Sequence, residues 1–171
     1  MAEHLTPLDT LAAPSRTDLM VFCQVNTEKA VFAIEGKVNE TFDDEICRWI
    51  RDARKADPVF LGLPINPRKK ARLEFLNQLL DLNVGTESDL YYQLFHRTAC
   101  ALLEARSIYA STAFMVVQSF LRCEENWNAY QAFAAAMGFM HIVGDSFTEA
   151  KYLTKFTGIG LRLGWVYDAT S

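Results

Sequence analysis

Two apolar, β-branched segments lie almost back to back near the start of the chain, residues 18–25 (Asp-Leu-Met-Val-Phe-Cys-Gln-Val) and 29–38 (Lys-Ala-Val-Phe-Ala-Ile-Glu-Gly-Lys-Val). Only Asn26, Thr27 and Glu28 separate them. Residues of this kind suit a pleated, half-buried surface, and so short a connection between two such runs reads as an antiparallel β-hairpin.

Beyond the hairpin the chain alternates helix and strand signals. Thr41 with Asp44 makes a capping box, and Phe42, Ile46, Trp49, Ile50 and Ala53 then share one helical face, with Arg48, Arg51 and Lys55 opposite. Asn66 before Pro67 signals the start of a second helix running to about Leu82, and Thr86 or Ser88 caps a third from about Asp89 to Arg106. Ser111 to Leu121 is short and almost wholly apolar, as expected of a central strand beside the hairpin, covered by helices on both faces. Trp127, Tyr130, Phe133, Ala134 and Met137 mark another amphipathic helix, and Gly158 to Tyr167 a last strand. Residues 1–16 hold two prolines and little periodicity, so a loose lead-in or a short helix around Leu8 to Ala12 is expected. The order predicts an α/β fold: a mixed central sheet, hairpin plus later strands, sandwiched by helices in one domain over 1–171 with its core in 17–167.

Composition narrows the function classes. A chain of 171 residues, 50% hydrophobic and 22% charged, is ordinary globular material. It shows no signal-peptide start and no apolar run near the roughly 20 residues that span a bilayer, so a cytoplasmic protein without membrane contact is expected. Cys23, Cys47, Cys100 and Cys123 are far apart, as are His4, His96 and His141, so neither a zinc site nor a histidine metal centre has support, and any metal would be held by oxygens. The net charge of -4 and a pI near 5.4 argue against broad, sequence-independent DNA binding. Yet between Arg48 and Arg72 eight basic residues stand against Asp52 and Asp57.

The hairpin also carries chemistry. Side chains alternate along a strand, so Glu35 and Lys37 point to one face and Gly36 to the other. With the turn centred on Thr27, Asp18 comes opposite residues 35–37, within one register step. Two carboxylates and an amine so converged can hold Mg²⁺ or Mn²⁺, with waters and the carbonyl of Gly36 or Val38 completing an octahedron. The metal would acidify a bound water while Lys37 stabilises a pentavalent transition state, which suits phosphodiester hydrolysis.

Asp18 followed by Glu35-Gly36-Lys37 in a hairpin strand resembles the D…(E)xK signature of the restriction-endonuclease-like (PD-(D/E)xK) nuclease superfamily. A wider pattern resembles a bacterial family attributed to that superfamily. It comprises Glu-Gly-Lys-Val with Phe42, residues 67–76 (Pro-Arg-Lys-Lys-Ala-Arg-Leu-Glu-Phe-Leu), Tyr92 to Ala99, Val117 to Phe120 and Leu163-Gly164-Trp165. The resemblance covers about residues 17–167 and implies a restriction-endonuclease-like fold, with Asp18 and Glu35 as metal ligands and Lys37 as transition-state stabiliser. Members of the superfamily commonly carry an acidic residue on a helix before the hairpin; here only Glu3 and Asp9 precede it. The rival expectation is therefore a nuclease-fold relative that binds or assembles without catalysis, its partner a nucleic acid, a second copy or another protein.

Further residues are weighed against plain structural roles. Gln93, Arg97, Cys100 and Glu104 form one helical stripe, which either brings Gln93 and Arg97 to a scissile phosphate or fixes helix packing. Lys69 and Lys70, in the basic opening of the second helix, are candidate phosphate contacts or solvated surface. His96 is expected at the surface or in packing, Gln118 in packing, and Trp49, Trp127, Phe133 and Trp165 in the core.

Overall fold

A computed structural model describes residues 3–8, 14–53, 59–140 and 143–168. The hairpin forms as β3 (Leu19–Val25) and β4 (Glu28–Lys37), antiparallel, with Val25 opposite Glu28 and Leu19 opposite Ile34. Its loop is the two residues Asn26 and Thr27, and Asn26 takes the left-handed conformation at φ 56°, which asparagine tolerates. β4 then pairs in parallel with β5 (Thr112–Ser119), and β5 with β8 (Gly160–Tyr167). Parallel neighbours need long crossovers, and helices supply them. Antiparallel β6 (Ser146–Phe147) and β7 (Lys151–Tyr152), which carry no strand signal in the sequence, complete the far edge against β8. The result is a mixed sheet of order β3-β4-β5-β8-β6 flanked by helices.

The helices differ from expectation mostly at their ends. α2 (Pro67–Leu80) begins as its signal requires, with the Asn66 side chain accepting from the amides of Arg68 and Lys69, and stops at Asp81 in the left-handed region. α3 (Tyr92–Ser107) starts later than Asp89 and has no side-chain cap; neither Thr86 nor Ser88 caps it. α4 (Glu124–Ala136) holds the predicted aromatic face. α1 corrects the expectation of a long helix: it spans only Ile46–Trp49, with no capping box at Thr41, because Asp44 O and Glu45 are used instead to tie this segment to Tyr91 and Tyr92. Arg51, expected on the face opposite the apolar one, is buried and donates to the carbonyls of Cys47 and Thr86. Lys55 and the other charges at 54–57 lie outside the described residues, as do Ala12 and Asp9 of the lead-in. Instead of a loose lead-in, β1 (His4–Thr6) and β2 (Ser15–Thr17) form an antiparallel ladder, and Leu8 is buried.

A second correction concerns the layers. α3 packs on β4 and β5, α2 packs on α3, and Trp49 of α1 stacks on Tyr92 of α3. α4 meets α3 through Phe133 on Phe95, and β8 through Trp127 and Tyr130 on Trp165. Trp165, Val117 and Glu35 are register neighbours and so share a face. Among the described residues all four α-helices therefore lie on that one face. The other face is mostly apolar and half-buried, with Phe32 stacked on Phe114 at 4.2 Å and Phe147 edge-on to Phe114. Gly164 is needed there: a Cβ would fall 2.5 Å from the Phe147 ring.

Candidate functional site

β4 ends the covered face with charge. Val31 and Ala33 on that face are core residues; the next two in the row, Glu35 and Lys37, are each 3% exposed. Burying an unpaired ion costs several kcal/mol, so both must find partners. Lys37 Nζ lies 3.0 Å from Glu35 Oε1, Gln93 Nε2 donates to the same oxygen at 2.6 Å, and Arg97 Nε donates to Glu35 Oε2 at 2.5 Å. Gln93 and Arg97, one helical turn apart on α3, thus close over the carboxylate from the helix side. The Gln93 amide is oriented by its other end, where Oε1 accepts from the Asp43 amide at 3.3 Å.

Asp18 joins from the bend between β2 and β3. Continuing the ladder places it opposite Glu35, within the expected step, and its Oδ2 accepts from the Gly36 amide at 3.0 Å while Oδ1 lies 3.9 Å from Arg97 Nη2. The structure thus brings Asp18, Glu35, Lys37, Gln93 and Arg97 together. It leaves Lys69 and Lys70 elsewhere: Lys69 Nζ donates to Trp49 O at 2.7 Å and meets Asp52, and Lys70 is exposed near Glu74. The rest of the stripe is structural, for Cys100 is buried and Glu104 accepts from Thr6 Oγ1 and pairs with His4. Gln118, a register neighbour of Gly36, belongs to the other face of the sheet.

Electrostatically the cluster is closed. Two carboxylates, Asp18 and Glu35, face two cations, Lys37 and Arg97. Burial pushes the Glu35 carboxyl above the ordinary carboxylate range, against the pull of Arg97 and then Lys37, and the nearby Asp18 charge adds to the rise. As the side chains stand, both Glu35 oxygens already accept from cationic or amide donors and, among the described residues, Asp18 is the one other carboxylate at the cluster, so a divalent ion would have to displace Lys37 or Arg97 from Glu35. Among the described residues no group of three or more His, Cys, Asp or Glu is placed to hold a metal. Glu3, a candidate for the extra acid, pairs with Arg16, and Asp9 lies outside the described residues.

Sequence reasoning missed Ser15 and Arg16, and counted Arg72 only within the basic run from Arg48 to Arg72. His96, expected at the surface or in packing, is buried, with Nδ1 2.6 Å from Ser15 Oγ. Burial holds its imidazole well below the usual range, and the fields of Arg97, Arg72 and Lys37 push the same way, so it is neutral at pH 7. Two cavities flank Tyr92 and Asp43. One of about 590 Å³ includes Lys37 but also Glu40, Asp43, Asp44 and the Trp49 ring. The other, of about 340 Å³, is lined by Ser15, Arg16, Arg72, His96 and Arg97, with Glu3 and Asp43 at its rim. The one signal that could have found it was the alternation of Ser15, Arg16 and Thr17 as a short strand.

A family model described as a domain of unknown function (DUF6946) matches residues 1–170. No curated protein and no solved structure matches the chain. No helix among the described residues is long and apolar enough to cross a membrane.

Proposed function

The chain belongs to the DUF6946 family, and from that premise we propose that it is a restriction-endonuclease-like module that binds a nucleic-acid phosphodiester in the cytoplasm without cutting it. The observation that carries this reading is the saturated Glu35 carboxylate, whose two oxygens accept from Gln93, Lys37 and Arg97. In a hydrolase of the kind the D…(E)xK pattern implies, those oxygens are the metal's. Here Arg97 and Lys37 stand in for the metal's charge, which preserves the architecture and removes the water activation that hydrolysis at neutral pH requires. The four free cysteines fit a reducing compartment.

The second reading, a Mg²⁺- or Mn²⁺-dependent nuclease with Asp18 and Glu35 as ligands and Lys37 as transition-state stabiliser, draws on the convergence of those residues and on a carboxylate that its two cations leave incompletely stabilised. One experiment separates the two. Fluorescent single- and double-stranded DNA and RNA are incubated with the protein at low salt, with and without Mg²⁺ or Mn²⁺, and read for both anisotropy and chain length. Binding without cleavage, together with no heat on titrating Mn²⁺, is the expected result. Metal-dependent cutting that disappears in Lys37→Ala and Asp18→Ala would overturn it in favour of the nuclease.

A further inference from the structure

We propose that the cavity between β2, α2 and α3 is a phosphate-binding subsite, with the guanidinium groups of Arg97 and Arg16 as its donors and Arg72 adding to its positive field. Three elements each contribute one arginine to this single concavity, in a chain whose net charge is -4. Arg97 and Arg72 are buried, while Arg16 stands at the mouth with its side chain 71% exposed. Arg97 is only partly spent on the cluster next door. Its Nε serves Glu35 and its Nη2 faces Asp18 at 3.9 Å, but its Nη1 is buried with no hydrogen-bond partner among the described residues. An unsatisfied donor on a permanently charged, forked group is suited to a phosphate oxygen, which guanidinium binds in paired, charge-assisted hydrogen bonds.

The surroundings favour an anion on this side and disfavour it on the other. Ser15 and His96 satisfy one another, so the floor presents no competing acceptor with a charge. His96 stays neutral, chiefly through burial and then through Arg97, Arg72 and Lys37, the same positive field that an anion would meet. Of the two acids at the rim, Glu3 pairs with Arg16 at 3.3 Å, and Asp43 is exposed to water. The neighbouring cavity sets three carboxylates, Glu40, Asp43 and Asp44, against Lys37 alone. About 340 Å³ corresponds to roughly ten waters, enough for a phosphate and part of what carries it.

This inference deepens the phosphodiester reading and rests on it for the nature of the ligand; the affinity of the cavity for phosphate itself is tested separately. Inorganic phosphate is titrated calorimetrically into the full chain at low ionic strength, with chloride as control, and into Arg16→Glu, Arg97→Lys and the exposed Lys70→Glu. Saturable binding is expected, weakened roughly tenfold or more in Arg16→Glu and Arg97→Lys and unchanged in Lys70→Glu. Arg16 is exposed, so its variant decides the matter even where Arg97→Lys fails to fold. No saturable heat below roughly 10 mM phosphate, or equal binding by wild type and Arg16→Glu, overturns the subsite. The same proteins are then given an oligonucleotide. Phosphate binding with no oligonucleotide binding keeps the cavity and discards the phosphodiester reading, whereas oligonucleotide binding indifferent to Arg16→Glu keeps that reading and discards the cavity.

Discussion

The two faces of the sheet bury different things. Under the helices, the row Val31, Ala33, Glu35, Lys37 passes from full apolar burial to full burial of charge within one strand. On the other face Phe32, Ile34 and Phe114 are apolar yet only half-buried. Hydrophobicity alone would have assigned these faces the other way round at the strand's end. The difference shows what burial demands here: on the covered face α3 supplies a donor for each Glu35 oxygen, so charge is tolerated because its partners arrive from a fixed helix turn.

The largest test of this contrast removes the carboxylate. Glu35→Ala leaves Lys37 and Arg97 buried without their shared acceptor, and a loss of about 3–5 kcal/mol is expected from urea unfolding. A loss below about 1 kcal/mol would mean that water or a rearranged Asp18 replaces the carboxylate, and the covered face would then be less dry than its exposures indicate.

A smaller effect comes from pH. His96 has its folded pKa depressed below the unfolded value of 6.5, so its contribution is fully present above pH 6.5 and is lost as pH falls toward the folded pKa. Glu35 has the opposite sign: its folded pKa is raised above 4.5, so its contribution is full below 4.5 and lost as pH rises through the folded value. Stability of the wild type should therefore fall below pH 6.5 by at most about 1.4 kcal/mol per pH unit, the slope of a single proton, and less steeply where Glu35 takes up its own proton in the folded chain. His96→Gln should flatten that slope, and an unchanged slope would assign the proton uptake elsewhere.

How much of this was legible in the sequence depends on how local the cause is. The hairpin, α2 and the alternation that pairs Glu35 with Lys37 rest on neighbouring residues, and so does the stripe that puts Gln93 and Arg97 on one side of α3. That the stripe lands on Glu35 is a tertiary fact, which left packing and phosphate contact open alternatives. α1 failed as a long helix because Asp44 and Glu45 make backbone bonds to Tyr91 and Tyr92, some fifty residues away, in place of a cap. β6 and β7 are two residues each, too short for any periodicity, and exist only because β8 offers them a ladder. The arginine cavity is the extreme case, since Arg16, Arg72 and Arg97 are joined by nothing in the chain order.

The gentlest test is applied to the open face. Phe114 stacks on Phe32 and is met edge-on by Phe147, but its ring is half-buried, so much of its apolar area is in contact with water already. Phe114→Thr puts a strand-favouring, β-branched residue in its place and removes the aromatic stack, with an expected cost of about 1 kcal/mol. It should also lower the fluorescence of a hydrophobic dye that binds the native protein, because the apolar patch shrinks. If the cost instead reaches about 3–5 kcal/mol and grows with protein concentration, the ring behaves as a core residue, and the face is covered in solution by a second copy of the chain. In that case the two faces would bury alike, and the contrast would belong to the isolated chain alone.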